Sequence, residues 1–245
     1  MAAQIIFNTQ VFVNQFDLST LTAQLDETIH TDTPDMNNVA GGGYVHLLPG
    51  LCSAQWSISG LYDTATNGSY AAFTGAQRGR QDVVGYNLLG TSAVEGSPAY
   101  FMRGQLKSFE APQGGVGETA RFSGSWEADT GMVAGVVGAP LASRSATFTG
   151  SGVQLGAVST SVNGATERLW AALFVTAASG TNLAVTIQSD TVGFPSPASA
   201  ATFTTVSAVG AQFLTVAGPI TDDYFRVNAT IGTGSFSYCV MMGVY

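Results

Sequence analysis

Few side chains among the 245 residues have types and spacings that could do chemistry. His30, Asp32, Asp35 and His46 form the one cluster resembling metal ligands. Their intervals match no zinc pattern and the segment is rich in Pro, Asn and Gly, so they read as solvated loop residues. Asp222 and Asp223 could serve calcium or a sugar, yet adjacent acids at a turn before a strand are ordinarily hydrated. Neither histidine lies near a Gly-x-Ser-x-Gly elbow or a cysteine opening a helix, so nucleophilic catalysis finds no support. The glycines at 41–43 and at 114, 115 and 117 precede no Lys-Ser or Lys-Thr, which removes a phosphate loop. Cys52 and Cys239 sit in apolar, strand-like stretches far apart in the chain and are expected to be buried free thiols. No enzyme, cofactor or metal is expected.

Composition points to a scaffold. Only 10% of residues are charged, 45% are hydrophobic, Gly fills 30 positions and the formal charge is −8. Lys107 is the single lysine, so binding nucleic acid by phosphate neutralisation is disfavoured. A surface of Ser and Thr costs little to desolvate, which suits a subunit that packs against its own copies. The N-terminus lacks the charged and apolar regions of a secretion signal, and the long charge-free runs carry turn clusters that a membrane span would exclude, so no membrane partner is expected.

The elements that would carry these residues are strands. Ala54, Trp56 and Ile58 alternate with Ser53, Gln55, Ser57 and Ser59, and the same period of two recurs around Leu21 to Asp26, Met102 to Lys107 and Phe122 to Glu127. Their polar sides include Gln24, Asp26, Ser57, Ser123 and Glu127. Residues 69–89 offer the one plausible helix, with Ser69 as cap and Tyr70, Phe73 and Gln77 at helical spacing. Residues 31–44 should form a long loop around Pro34, Asn37, Asn38, Gly41, Gly42 and Gly43. The small-residue run 131–143 reads as a connecting arm or linker. It divides the chain into residues 1–143, with twelve acidic and five basic residues, and 144–245, with four and three. The second part shows seven or eight short strands at regular spacing, the pattern of an Ig-like or jelly-roll-like sandwich, with residues 169–175 as a central strand.

Taken in order, several short motifs of the first half resemble the tail tube proteins (major tail proteins) of long-tailed bacteriophages. They are Asp17-Leu18-Ser19, Pro49-Gly50-Leu51 leading into Ala54 to Ser59, Gly60-Leu61-Tyr62-Asp63 before a short helix, and a closing hairpin around residues 111–117. The resemblance spans roughly residues 10 to 135. It implies a mainly β chain: a tail-tube-like β-sandwich with one short flanking helix, then a second, outer β-sandwich. It further implies homohexameric rings stacked into a virion tail tube, assembled in the host cytoplasm beside other tail proteins, through which DNA passes transiently during ejection. On that basis Gln24, Asp26, Ser57, Ser123 and Glu127 are expected to face the lumen, and Pro34, Asn37, Asn38, Gly41, Gly42 and Gly43 to order against a neighbouring subunit. Alternation identifies the wet side of a sheet, and an outward orientation is the other possibility. A capsid decoration or tail-tip protein, or a carbohydrate-binding module using Trp170, Tyr224 or Tyr238, are the alternative functions.

Overall fold

A computed structural model describes residues 9–31, 52–74, 80–155, 167–218 and 220–244. Strands dominate, paired antiparallel throughout, with one α-helix among the described residues. In chain order they are β1 (Gln10–Val13), β2 (Phe16–Asp17), β3 (Thr22–Thr31), β4 (Cys52–Leu61), α1 (Ser69–Thr74), β5 (Gln81–Asn87), β6 (Pro98–Gln113), β7 (Arg121–Ala128) and β8 (Val133–Arg144). The second half adds β9 (Phe148–Thr149), β10 (Val153–Gln154), β11 (Arg168–Ala178), β12 (Thr181–Asp190), β13 (Ala198–Thr202), β14 (Gly210–Ala217), β15 (Tyr224–Thr233) and β16 (Phe236–Val244).

One eleven-stranded sheet, in the order β14-β11-β16-β8-β6-β5-β1-β2 with β7, β4 and β3 branching from β6, folds over itself. A five-stranded sheet of β10, β15, β12, β13 and β9 packs beside it. The period of two lets a single strand serve two cores at once. In β11, Leu169, Ala171, Leu173 and Val175 face the five-stranded sheet, while Ala172 and Phe174 face β1, β5 and β6. In β1, Phe12 joins that shared core, while Val11 and Val13 turn toward β4, β7 and α1. Three cores therefore lie in series, and the middle one draws from both halves.

Two sequence expectations need correction. Residues 69–89 are not one helix: α1 ends its described span at Thr74, and β5 follows. Val83 to Asn87 are all buried, so β5 shows no alternation for a periodicity reading to find. Ser69 does not simply cap; its hydroxyl donates to Leu61 O and accepts from Asp63 N, tying α1 to the end of β4. The supposed linker at 131–143 is strand β8, whose first residues pair with β6 and later ones with β16. Its small residues reflect crowding, since a Cβ on Gly135 would lie 2.3 Å from Met242 O. Only Thr31 of the expected 31–44 loop is described. Pro34, Asn37, Asn38, Gly41, Gly42 and Gly43 lie outside the described residues, as do Asp32, Asp35 and His46.

Candidate functional site: a polar sheet face with open edges

β3, β4, β7 and the C-terminal half of β6 form a four-stranded sheet whose two faces differ completely. Its inner side presents Trp56, Ile58, Leu106, Phe122 and Trp126, all buried. Its outer side is a grid. Gln24, Ser59, Ser123 and Glu110 align across the strands in one row; Asp26, Ser57, Ser125 and Ser108 in the next; Thr28, Gln55, Glu127 and Gln105 in the third. The five residues singled out from sequence, Gln24, Asp26, Ser57, Ser123 and Glu127, thus share this one face, Gln24, Asp26 and Glu127 exposed and the two serines half-buried.

Hydroxyls and amides satisfy one another along the grid. Gln24 Nε2 donates to Asp26 Oδ2 at 2.7 Å, Ser108 and Ser125 hydroxyls bond at 2.6 Å, and Gln113 Nε2 donates to Glu110 Oε2 at 2.7 Å and to Ser123 Oγ at 3.1 Å. A bulge between Leu106 and Ser108 brings Lys107 out, where its ammonium meets Glu127 at 2.6 Å. This surface offers little net charge and no unpaired lysine.

The reverse side is held by a buried carboxylate that sequence reasoning missed. Asp82, with 0% exposure, accepts from Arg80 Nε at 2.6 Å, Asn14 Nδ2 at 2.7 Å and Trp126 Nε1 at 2.9 Å. Arg80 also donates through Nη2 to Ala72 O in α1 at 3.1 Å. Asn14 has φ of 52°, a left-handed conformation that asparagine tolerates, and its Oδ1 accepts from Val83 N at 2.9 Å. β1, β5, β7 and α1 are thereby cross-linked, which fixes Trp126 and so the Ser125 and Glu127 side chains flanking it. No local signal marks this network, since Asn14, Arg80, Asp82 and Trp126 are assembled by tertiary pairing.

Aromatic packing completes the support. Phe73 of α1 stacks on Phe109 at 4.3 Å and meets Phe122 and Trp126 at 5.4 and 5.6 Å. Gly124 makes room for it, because a Cβ there would stand 3.0 Å from the Phe73 ring. Tyr86 lies between Trp56 and Tyr100 and donates to Glu27 Oε2 at 2.5 Å, tying β3 to the layer beneath. Burial and the neighbouring Glu27 carboxylate push the Tyr86 hydroxyl well above the ordinary phenol range, so it remains a donor.

Both edges of this sheet are open among the described residues. β3 pairs only with β4, and β6 beyond Leu106 pairs only with β7. An edge that no other strand of the sheet covers is a template for another strand.

Elsewhere the chemistry-bearing candidates do not converge. No group of three or more His, Cys, Asp or Glu side chains comes together among the described residues, and no described helix is long and apolar enough to cross a membrane. Cys239 is free and buried, its thiol pushed up to about 12 chiefly by burial. Tyr238 is buried, Trp170 is half-buried against Phe213 at 5.8 Å, and Tyr224 is half-buried at the start of β15.

No protein-family model and no curated protein matches the chain. Solved structures similar to it include a chain of the virion of the native gene transfer agent particle, with 13% identity over 54% of this chain and 98% of that one, at a TM-score of 0.41. A chain of the sheath/tube terminator of an extracellular contractile injection system, PVC, shows 13% identity over 55% and 97%, at 0.45. The SPP1 Dit protein, described as a paradigm of the hub adsorption apparatus in phages infecting Gram-positive hosts, shows 8% identity over 97% and 99%, at 0.34.

Proposed function

We propose that the chain is a structural subunit of a phage tail that closes with its own copies into hexameric rings, stacked into a tube for passing DNA. One observation carries this reading: a four-stranded sheet with an apolar face locked onto its own core, a polar face, and two edges that no other described strand pairs with. β3, β4, β7 and β6 alternate in direction. When two copies stand side by side, β3 of one therefore runs antiparallel to β6 of the next, and the unpaired groups of both can complete a ladder. Repeating that contact around an axis closes a barrel and abolishes the edges.

In such a barrel the Ser/Gln/Asp grid lines the lumen. Asp26, Glu110 and Glu127 against Lys107 and Arg121 leave it slightly acidic, and Lys107 is already paired. DNA finds few cations there, so binding of duplex to the isolated chain is expected at a Kd of about 10⁻⁴ M or weaker at physiological salt. Residues 144–245 then form the outer part of the wall, and Pro34, Asn37, Asn38, Gly41, Gly42 and Gly43 belong to the segment that meets a neighbouring subunit. The chain's place is the virion tail, built in the host cytoplasm with other tail proteins.

Sedimentation velocity on the purified chain across a concentration series, with electron microscopy of the same samples, tests the reading. Rings or tubes are expected. A monomer at every concentration contradicts it.

A further inference from the structure

The five-stranded sheet ends on β13, which pairs with β12 alone among the described residues. An edge of that kind invites a strand from another molecule. Several features blunt it. β13 is five residues long, its pairing slips in register between Ile187 and Gln188, and Pro195 and Pro197, which carry no backbone N–H, stand just before it. Beyond Thr202 the chain stays beside β12. Phe203 N–H donates to Val185 O at 3.0 Å, and Leu183 and Val206 each donate a backbone N–H to the other's carbonyl, at 2.8 and 2.9 Å.

Thr204 lies between these anchors and is exposed. Its two backbone groups go to one side chain from the other sheet: Gln212 Oε1 accepts from Thr204 N at 2.9 Å, and Gln212 Nε2 donates to Thr204 O at 2.8 Å. A primary amide offers the same donor and acceptor as a peptide group, so the pair has the form of a strand pairing made by a side chain. Gln212 belongs to β14, where it stands opposite Leu173 of β11, so its side chain crosses from the eleven-stranded sheet to the edge of the five-stranded one. Holding so long a side chain in one rotamer costs entropy, which the two hydrogen bonds must offset.

We propose that Gln212 is a guard on this edge: its amide occupies the peptide groups of Thr204 and so keeps the five-stranded sheet from adding a strand of a second copy. A chain that packs with its own copies meets its own strand edges at high local concentration, and an unguarded one is a route to irregular aggregates. The short, bulged, proline-flanked β13 defends the first part of the edge, and Gln212 defends the part beyond it, where Phe203 to Val206 still follow β12. The inference is independent of the ring reading, because residues 183–212 alone form this edge.

Gln212→Ala and Gln212→Glu in the full-length chain test this. Alanine empties the site, whereas glutamate gives up the bond to Thr204 O but puts a charge on the edge, itself a barrier to strand addition. In dilute samples amide exchange at Thr204 should quicken about fivefold or more in Gln212→Ala, as the loss of one hydrogen bond allows. Sedimentation velocity over a concentration series should show Gln212→Ala forming larger species absent from the parent, and Gln212→Glu forming none. Unchanged exchange at Thr204, a Gln212→Ala chain that sediments as the parent does at every concentration, or association of Gln212→Glu as strong as that of Gln212→Ala would overturn the guard. Failure of the unmodified chain to form rings would instead sink the ring reading and leave the guard standing.

Discussion

The interior behind the polar sheet and the interior of the second half are both β-sheet cores, yet they are built from different materials. The first stacks Trp56, Phe73, Tyr86, Phe122 and Trp126 around a fully buried Asp82. The second is filled mostly by Leu, Val, Ile and Ala from β11, β12, β15 and β16, with its arginines at the margins: Arg144 lies over Phe148 and Tyr238 at 4.3 and 4.6 Å, and Arg226 over Phe194 at 4.4 Å. Aliphatic packing supplies burial with little directional demand. Rings and a multiply bonded carboxylate impose orientation, at the cost of severe loss if one partner is removed. The oriented core lies under the aligned polar grid of β3, β4, β7 and β6. Between the two lies the shared core, where Phe12 stacks on Phe174 at 5.0 Å.

The largest effect should come from separating the halves. Ending the chain after residue 143 removes β11 and β16 and leaves Phe12, Phe101 and Val137 without the Ala172, Phe174 and Met241 that cover them. That fragment should show no cooperative thermal transition. A sharply melting fragment would break the account of a shared core and support two separable domains divided at 143.

Asp82→Ala comes next. Arg80, Asn14 and Trp126 would each lose an acceptor, and removal of one partner from a buried pair costs about 3–5 kcal/mol. Urea unfolding followed by tryptophan fluorescence measures it. Leu173→Ala in the second core should cost about 2–5 kcal/mol by leaving a cavity, without loosening the four-stranded sheet. Equal loss of hydrogen-exchange protection in β7 for both variants would erase the contrast between the cores.

How much of this was legible follows the same contrast. The grid was readable because β4 and β7 bury one face and wet the other, so Ser57 and Ser123 fall out of a simple alternation. β5 was not, because tertiary layers cover both its faces and Val83, Val84 and Tyr86 then carry no period. β8 was hidden by its own fit: Gly135 and Gly138 look like linker residues, yet a Cβ on Gly138 would lie 2.9 Å from Val227. Asp82 gave no sign either, since a carboxylate's burial depends on partners up to 68 positions away.

Alkali should weaken the fold through Cys239. An unfolded chain releases that proton near the ordinary 9.0, whereas the folded chain holds it to about 12, so its contribution is complete below about 9 and falls as pH rises through that window. Tyr86, also raised, acts in the same direction. Urea midpoints from pH 8 to 11 should decline less steeply for Cys239→Ala than for the parent. Native Cys239 should also resist alkylation at pH 8, as judged by peptide mapping.

Tyr86→Phe removes only the tie to Glu27 and should cost about 1 kcal/mol, with faster amide exchange confined to β3. Smallest in stability is Asp26→Lys with Glu127→Lys. Both sites are exposed and the Lys107 pair is more than half and nearly half exposed at its two ends, so the change should stay within about 0.5 kcal/mol. Its DNA affinity, by contrast, should rise and become steeply salt-dependent. Unchanged DNA binding would argue that the grid does not present these charges to a passing duplex.

The central claim is that copies join edge to edge with the grid turned inward. A cryo-EM reconstruction of assembled, unmodified protein tests it most directly. The account predicts a closed barrel with β3 of each copy paired antiparallel to β6 of the next and Gln24, Asp26, Ser57, Ser123 and Glu127 lining the lumen; finding those side chains on the outer surface would contradict it.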